Sequence, residues 1–244
     1  MSTPLTKTYD SYHFGSRSDL TDQQLEQLIR LFDTPAGTVD SVLGGRSSVT
    51  IAQIEGLGSV VVKYYTRGGL VRYFVKHRYM KWKKTRCQIE YELLQRVRRL
   101  GVSAPEPIAY ACRGGLFYKA WLVTSEIKHQ QTLAELSCAD KQHACSVMGE
   151  LIRHVSTLIS NDILHVDLHP GNVLVDSGDR VFLVDFDKAC LSRKNKNKLR
   201  DQYLTRWRRS VVKHRLPEML YEIMSAGLQK NYQIKTPVED GRTR

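Results

Sequence analysis

No run of about eighteen apolar residues occurs in this sequence, which leaves no readable transmembrane helix. The opening residues, MSTPLTKTYDSYHF, have neither a basic start leading into an apolar stretch nor a cleavage-like site. No secretory signal is therefore expected, and the protein is expected to stay in the cytoplasm. Cysteine is scarce. The five present (Cys87, Cys112, Cys138, Cys145, Cys190) are odd in number, scattered, and free of any C-x-x-C pair, which fits free thiols in a reducing compartment better than a disulfide framework or a zinc site. A Walker A loop, G-x-x-x-x-G-K-[ST], is missing, and its absence disfavours P-loop nucleotide binding. Internal repeats and low-complexity segments are missing too, apart from RKNKNK.

What is present is enough for a sizeable core: 244 residues with 41% hydrophobic content suit one large domain or two small lobes. The formal charge of +12 is unevenly spread. Gly56 to Ile89 holds nine Lys/Arg and no acid, and Lys188 to Pro217 holds eleven Lys/Arg against Asp201 alone, so the rest of the chain is acidic. Basic residues concentrated in this way suit a polyanionic partner: nucleic acid, an acidic membrane surface or a phosphorylated substrate.

Periodicity divides the chain. Leu25, Leu28, Ile29 and Phe32 give Asp19 to Phe32 a helical spacing that ends before Pro35. From Val39 to Tyr65 short β-branched runs are broken by Gly44-Gly45 and Gly56-Leu-Gly58, as in strands joined by tight turns, with SVVVKYY the clearest strand. A helix is expected from Thr85 to Leu100, with Ile89, Leu93, Leu94, Val97 and Leu100 on one face and Gly101 as its stop. IAYACRGGLFYKAWLVTSE then reads as a hairpin with Gly114-Gly115 at its tip. Beyond Glu126 the texture turns helical from Asp140 to Ile159, gives two short strands (NVLV, VFLV), and is helical again from about Lys194. The expected fold class is α+β and bilobal: a β-rich N-terminal lobe over residues 1–126 and a mostly helical lobe over 127–244.

Chemistry concentrates in HVDLHPGNVLVD and VFLVDFD. Asp167 and Asn172 are separated as in H-x-D-x-x-x-x-N, and Asp185 ends the second of two strands that follow. Phosphoryl transfer needs one carboxylate to orient and deprotonate the acceptor hydroxyl, and a second carboxylate with an amide oxygen to hold Mg²⁺ on the phosphates. The same chemistry asks the other half of the chain for a Gly-bearing turn, a strand lysine and a helix glutamate. LGGRSSV supplies Gly44 and Gly45, VVVKYY supplies Lys63, and CQIEYELL supplies Glu90, with Glu92 as a rival. His165, Asp167 and His169 are an alternative transition-metal set, since residues two apart on an extended segment share a face. Asp187 stays in reserve beside Asp185.

These motifs resemble the protein kinase-like fold, although DFD replaces D-F-G and no A-P-E motif follows. Among kinase-like families the chain is most similar to the lipopolysaccharide kinases, over about residues 40–190. LGGRSSV, VVVKYYTRGGLVRYF, TRCQIEYELLQRVRRLGVSAPEP and HVDLHPGNVLVD…VFLVDFDKA carry that similarity. The resemblance implies ATP and Mg²⁺ as cofactors and Asp167 as catalytic base. It implies Asn172 and Asp185 as metal ligands, and Gly44, Gly45, Lys63, Glu90 and Glu126 as the nucleotide-binding set. Its implied reaction is phosphorylation of the 4-hydroxyl of 3-deoxy-D-manno-octulosonic acid (Kdo) on a Kdo-lipid A precursor, at the cytoplasmic side of the inner membrane. The two basic segments would then meet an anionic membrane surface and the phosphorylated acceptor, with aromatics such as Tyr73, Phe74, Tyr79, Trp82 and the RWRR tryptophan at the interface, and nucleic acid is not expected as a partner. A kinase for a heptose, another small sugar or a protein is the alternative.

Overall fold

Alternation decides where Lys63 points. Along the strand Gly58–Tyr64, Val60 and Val62 are buried in one direction, so Val61 and Lys63 project from the opposite face of the pleat. The computed structural model describes residues 4–33, 49–65, 79–80, 84–115 and 117–233. Gly44, Gly45 and the RGGLVRYF segment lie outside the described residues, as do Arg78, Lys81, Trp82 and Lys83.

The chain divides into two units, Met1–Arg99 with Ala104–Lys128 and Leu100–Ser103 with His129–Arg244. The first is built on an antiparallel sheet of β1 (Leu5–Tyr9), β2 (Tyr12–Ser16), β3 (Val49–Ile54), β4 (Gly58–Tyr64), β5 (Tyr79–Met80), β6 (Pro107–Gly114) and β7 (Phe117–Ser125). Its order is β1-β2-β6-β7-β4-β3, with β5 also pairing β7. Helix α1 (Asp22–Asp33) covers one face, where Leu25, Leu28 and Phe32 pack with Tyr12, Phe14, Val60, Val62 and Trp121. The Phe32 and Trp121 rings stack with centroids 4.8 Å apart. Helix α2 (Arg86–Arg99) packs against β6 and β7, with the Tyr91 ring edge-on to Tyr110 at 5.2 Å, and Gly101, at φ +81, follows its end.

The buried stripe of α2 differs from the expected one. Cys87, Glu90, Tyr91, Leu94 and Val97 are buried, whereas Ile89 is 47% exposed. A glutamate displaces an isoleucine from the stripe because its charge is met inside the unit, as described below. The β1–β2 hairpin was also not anticipated: its turn sits at Asp10, which adopts φ 52, and Tyr12 and Phe14 then alternate into the core.

The second unit is organised around α4 (Lys141–Ser160), whose Val147, Met148, Leu151, Val155 and Leu158 are buried against α3 (Leu133–Ala139), α5 (Lys196–Lys213) and α6 (Met219–Gln233). A capping box at Thr132 and Glu135 starts α3, and the Asp140 side chain, accepting from His143 N–H at 2.9 Å, starts α4. β10 (Val173–Asp176) pairs antiparallel with both β8 (Gln130–Thr132) and β11 (Val181–Leu183), while β9 (Ile163–Leu164) pairs with β12 (Cys190–Leu191). On α5, Leu199, Tyr203, Leu204, Trp207 and Val211 form the buried stripe, and Lys198, Arg208, Arg209 and Lys213 are exposed. Trp207, expected at an interface, is core: it is 2% exposed and its indole N–H donates to the Leu220 carbonyl at 3.0 Å. Among the described residues no helix is long and apolar enough to cross a membrane.

Candidate active site

In the first unit the Lys63 ammonium meets both carboxylate oxygens of Glu90 at 3.1 Å, and the Tyr65 hydroxyl donates to the same carboxylate. The side chains of Lys63 and Glu90 are only 13% and 3% exposed. A carboxylate taken that far out of water is tolerated only when paired and hydrogen-bonded. Tyr65 lies two residues beyond Lys63, hence on the same side of the strand direction, and supplies the further hydrogen bond. Glu92, the rival, pairs instead with Lys84 at 2.6 Å near the surface. Glu126 follows β7 and is tied to β4, accepting from the Ser59 hydroxyl at 2.5 Å.

In the second unit a hairpin register sets the site. Val173 pairs with Leu183, and the Val184 N–H donates to the Asn172 carbonyl at 3.1 Å, so Asn172 and Asp185 emerge at the same end of β10 and β11. The opposite end is closed by Asp176, which accepts from the Gly178 and Arg180 N–H groups at 2.9 and 3.0 Å. Burial alone would raise its pKa, but these bonds and the Arg180 guanidinium hold it below the usual value. Asp185 adopts φ 62, a left-handed conformation that Asp tolerates better than most residues. The buried Phe186 ring, against His165 at 4.4 Å, anchors the turn that presents Asp185.

The Asp167 loop is tied from three sides. The Asn172 side-chain amide donates to the Asp167 backbone carbonyl at 2.9 Å, Arg206 donates to the Val166 carbonyl at 2.7 Å, and Lys188 places its ammonium 2.8 Å from the Asp167 carboxylate. Because the amide nitrogen of Asn172 is engaged with the loop, what its side chain can offer a cation is Oδ1, an acceptor. That oxygen and the Asp185 carboxylate are hard donors of the kind a hydrated Mg²⁺ takes.

His165 has a structural task. It is buried, its backbone N–H donates to the Tyr203 hydroxyl at 2.7 Å, and its Nε2 lies 2.9 Å from the Val184 carbonyl. A carbonyl only accepts, so Nε2 carries the hydrogen and joins the Asp167 loop to the Asp185 strand. The alternative metal set of His165, Asp167 and His169 fails here, because His165 is turned into the core. Burial pushes its pKa down to about 4. An unfolded chain protonates this histidine near pH 6.5 and the folded chain does not, so stability is lost as pH falls between about 6.5 and 4, by up to about 3 kcal/mol. His154, buried against the Val181 carbonyl, is lowered by burial and adds in the same direction. The His165 C2 proton should hold its neutral NMR shift down to about pH 5; titration near pH 6.5 would contradict this environment.

Of the residues named from sequence, the structure joins Lys63 to Glu90 and brings Asp167, Asn172 and the Asp185 turn into one hydrogen-bonded loop system. Tyr65, Lys188 and Tyr203 had not been anticipated. Tyr65 was detectable from its two-residue offset from Lys63. Lys188 and Tyr203 meet the loop across 21 and 38 residues of sequence, with no local signal.

A profile of the lipopolysaccharide kinase (Kdo/WaaP) family matches residues 16–227. A protein of Vibrio vulnificus named 3-deoxy-D-manno-octulosonic acid kinase is 32% identical over 184 residues, covering 72% of this chain and 75% of that one. Its namesake in Photobacterium profundum is 34% identical over 182 residues, with the same coverage, and that of Xylella fastidiosa is 29% identical over 177 residues, covering 70% and 69%. The similarity spans the Lys63–Glu90 pair and the Asp167 loop alike, and by it this chain belongs to the lipopolysaccharide kinase (Kdo/WaaP) family.

Proposed function

We propose that this protein transfers the γ-phosphoryl group of ATP to the 4-hydroxyl of Kdo on a Kdo-lipid A precursor, working as a peripheral enzyme at the cytoplasmic side of the inner membrane. In this reading the two units are the lobes of a protein kinase-like fold. The observation that carries the phosphotransfer chemistry is the buried Lys63–Glu90 pair, an ammonium held in one place by a carboxylate and a tyrosine hydroxyl. The Kdo acceptor rests on the names of the relatives.

Asp167 orients the acceptor hydroxyl and takes its proton as the oxygen attacks phosphorus. Lys188 steadies the Asp167 carboxylate and offers its ammonium to the charge gathering on the transferred phosphoryl. Lys63 neutralises the nucleotide phosphates, Glu90 and Tyr65 hold Lys63, and Gly44, Gly45 and Glu126 complete nucleotide binding. Asn172 Oδ1 and Asp185 would hold Mg²⁺, which would supply screening of the phosphate charge. In this reading the exposed cations of α5 (Lys198, Arg208, Arg209 and Lys213) meet the anionic membrane and the phosphorylated lipid.

Incubation of the purified protein with ATP and the Kdo-lipid A precursor, followed by mass spectrometry, should show one added phosphate on the Kdo residue. Phosphate on a heptose or a protein acceptor instead would replace the Kdo assignment.

Lys63 and Glu90 serve one function, so their losses should not add. Lys63→Met is expected to lower kcat/KM by about 10² or more, and Lys63→Met with Glu90→Gln little further. Kinetics of the two single variants and the double variant check this; fully additive losses would mean separate roles.

A further inference from the structure

Two imidazoles meet beside the Asp167 loop, and neither has a part in the steps above. His169 precedes the short 3₁₀ turn Pro170–Asn172, and His214 closes α5 with its backbone N–H donating to the Ser210 carbonyl at 3.0 Å. Their rings stack with centroids 6.4 Å apart and planes 27° from parallel. His169 is half-buried; His214 and the adjacent Lys213 are exposed.

His169 is fixed in one tautomer. The Gly171 N–H donates to its Nδ1 at 3.1 Å, so the hydrogen sits on Nε2 and the ring offers a neutral donor. A Cβ at residue 171 would come within 3.1 Å of this ring, so the glycine also gives it room. The last turn of α5 is where a helix favours cations, which suits Lys213.

The arrangement answers a problem set by the base. Asp167 lies two residues before His169, and its carboxylate repels an acceptor that is itself anionic. Donors on the neighbouring elements must offset that repulsion without pairing with the base. We propose that His169, His214 and Lys213 form a subsite for an anionic oxygen group of the acceptor, the carboxylate of its sugar or a phosphate of its lipid, while Asp167 engages the hydroxyl. The subsite rests on the acceptor reading above, and it adds the residues that recognise the acceptor's charge.

The test uses the full chain with His214→Gln, Lys213→Gln and the double variant. Steady-state kinetics are taken on three acceptors: the Kdo-lipid A precursor, its Kdo methyl ester, and its form lacking the lipid phosphates. The double variant should raise the KM for the intact acceptor by about tenfold or more, the loss of a charge-assisted hydrogen bond, and leave the ATP KM unchanged. Removing the recognised anion should bring the wild type to the variant's level and cost the variant nothing further. A loss on the ester identifies the carboxylate, and a loss on the dephosphorylated lipid identifies a phosphate. Lys213→Gln, at an exposed position, carries the test where His214→Gln disturbs folding. An unchanged acceptor KM, equal losses on every acceptor, or a rise in the ATP KM instead would overturn the subsite alone. No transfer by the wild type to any of the three would overturn the acceptor reading and the subsite with it.

Discussion

Asp167→Asn should lower kcat by about 10² to 10⁴, the usual contribution of a positioned general base, while the protein stays folded. The substitution is a clean one because the loop does not depend on this carboxylate. Its backbone is held by Asn172 and Arg206, and by the His165 bond to Val184. The Asp167 side chain is 33% exposed and faces Lys188, so an amide of the same shape fits without leaving a buried polar group unpaired. Rapid-quench measurement of the transfer step, with thermal melting as the folding control, checks the expectation. Near-normal turnover would remove Asp167 from the chemistry. Lys188→Met tests the other partner of the pair. It leaves the Asp167 carboxylate in place and removes the ammonium, so kcat should fall by a smaller factor with the ATP KM little changed. A Lys188→Met enzyme as active as the wild type would make the contact an ordinary surface ion pair, of the kind that contributes roughly 0–1 kcal/mol.

The parts of this site that could be read from sequence are those whose signal is local. A lysine after three valines, and an Asp–Asn loop followed by two apolar runs, carry their geometry with them, because strand alternation and hairpin register act over a few residues. Glu90 against Glu92 was decidable in principle. Glu90 falls three residues after Cys87 and four before Leu94, inside the helical stripe that is buried, and Glu92 does not. The apolar period in the sequence runs through Ile89 instead, since an isoleucine is the better apolar residue and nothing nearby in sequence reveals that a buried glutamate has a partner 27 residues earlier. Burial of a charge is legible only together with what meets it.

Long-range contacts account for the rest. The Tyr203 hydroxyl donates to the Ile163 carbonyl at 2.9 Å while accepting from His165, a bridge that fixes the start of the Asp167 loop from a helix 38 residues away. In the sequence it is one tyrosine in a basic stretch. In the same stretch the arginines on either side of Trp207 suggest an interface, but the helical period turns the indole into the core and Arg208 and Arg209 outward, while Arg206 is half-buried and reaches the Val166 carbonyl. Charge density thus identifies the exposed face of α5 correctly and says nothing about the aromatic between the charges.

Asp185→Ala should abolish transfer at any practical Mg²⁺ concentration, and the reasons lie in the backbone as much as in the carboxylate. Asp185 is placed by three constraints: the register of β10 with β11, the burial of Phe186 beneath it, and its own φ of 62. A left-handed conformation disfavours most side chains by roughly 1–2 kcal/mol, and Asp and Asn least. Alanine therefore removes the charge and strains the turn together, whereas Asp185→Asn keeps the turn and removes only the charge. Both should lose metal-dependent activity if the carboxylate is what matters; Asp185→Asn alone should keep the wild-type melting temperature. Asp187→Asn is the comparison, two residues on and half-buried in the same turn. Calorimetric titration of Mg²⁺ in the presence of a non-hydrolysable ATP analogue, alongside turnover, separates the two carboxylates. Binding lost in Asp187→Asn and retained in Asp185→Asn would move the ligand role to Asp187, and with it the reason for the left-handed residue at 185.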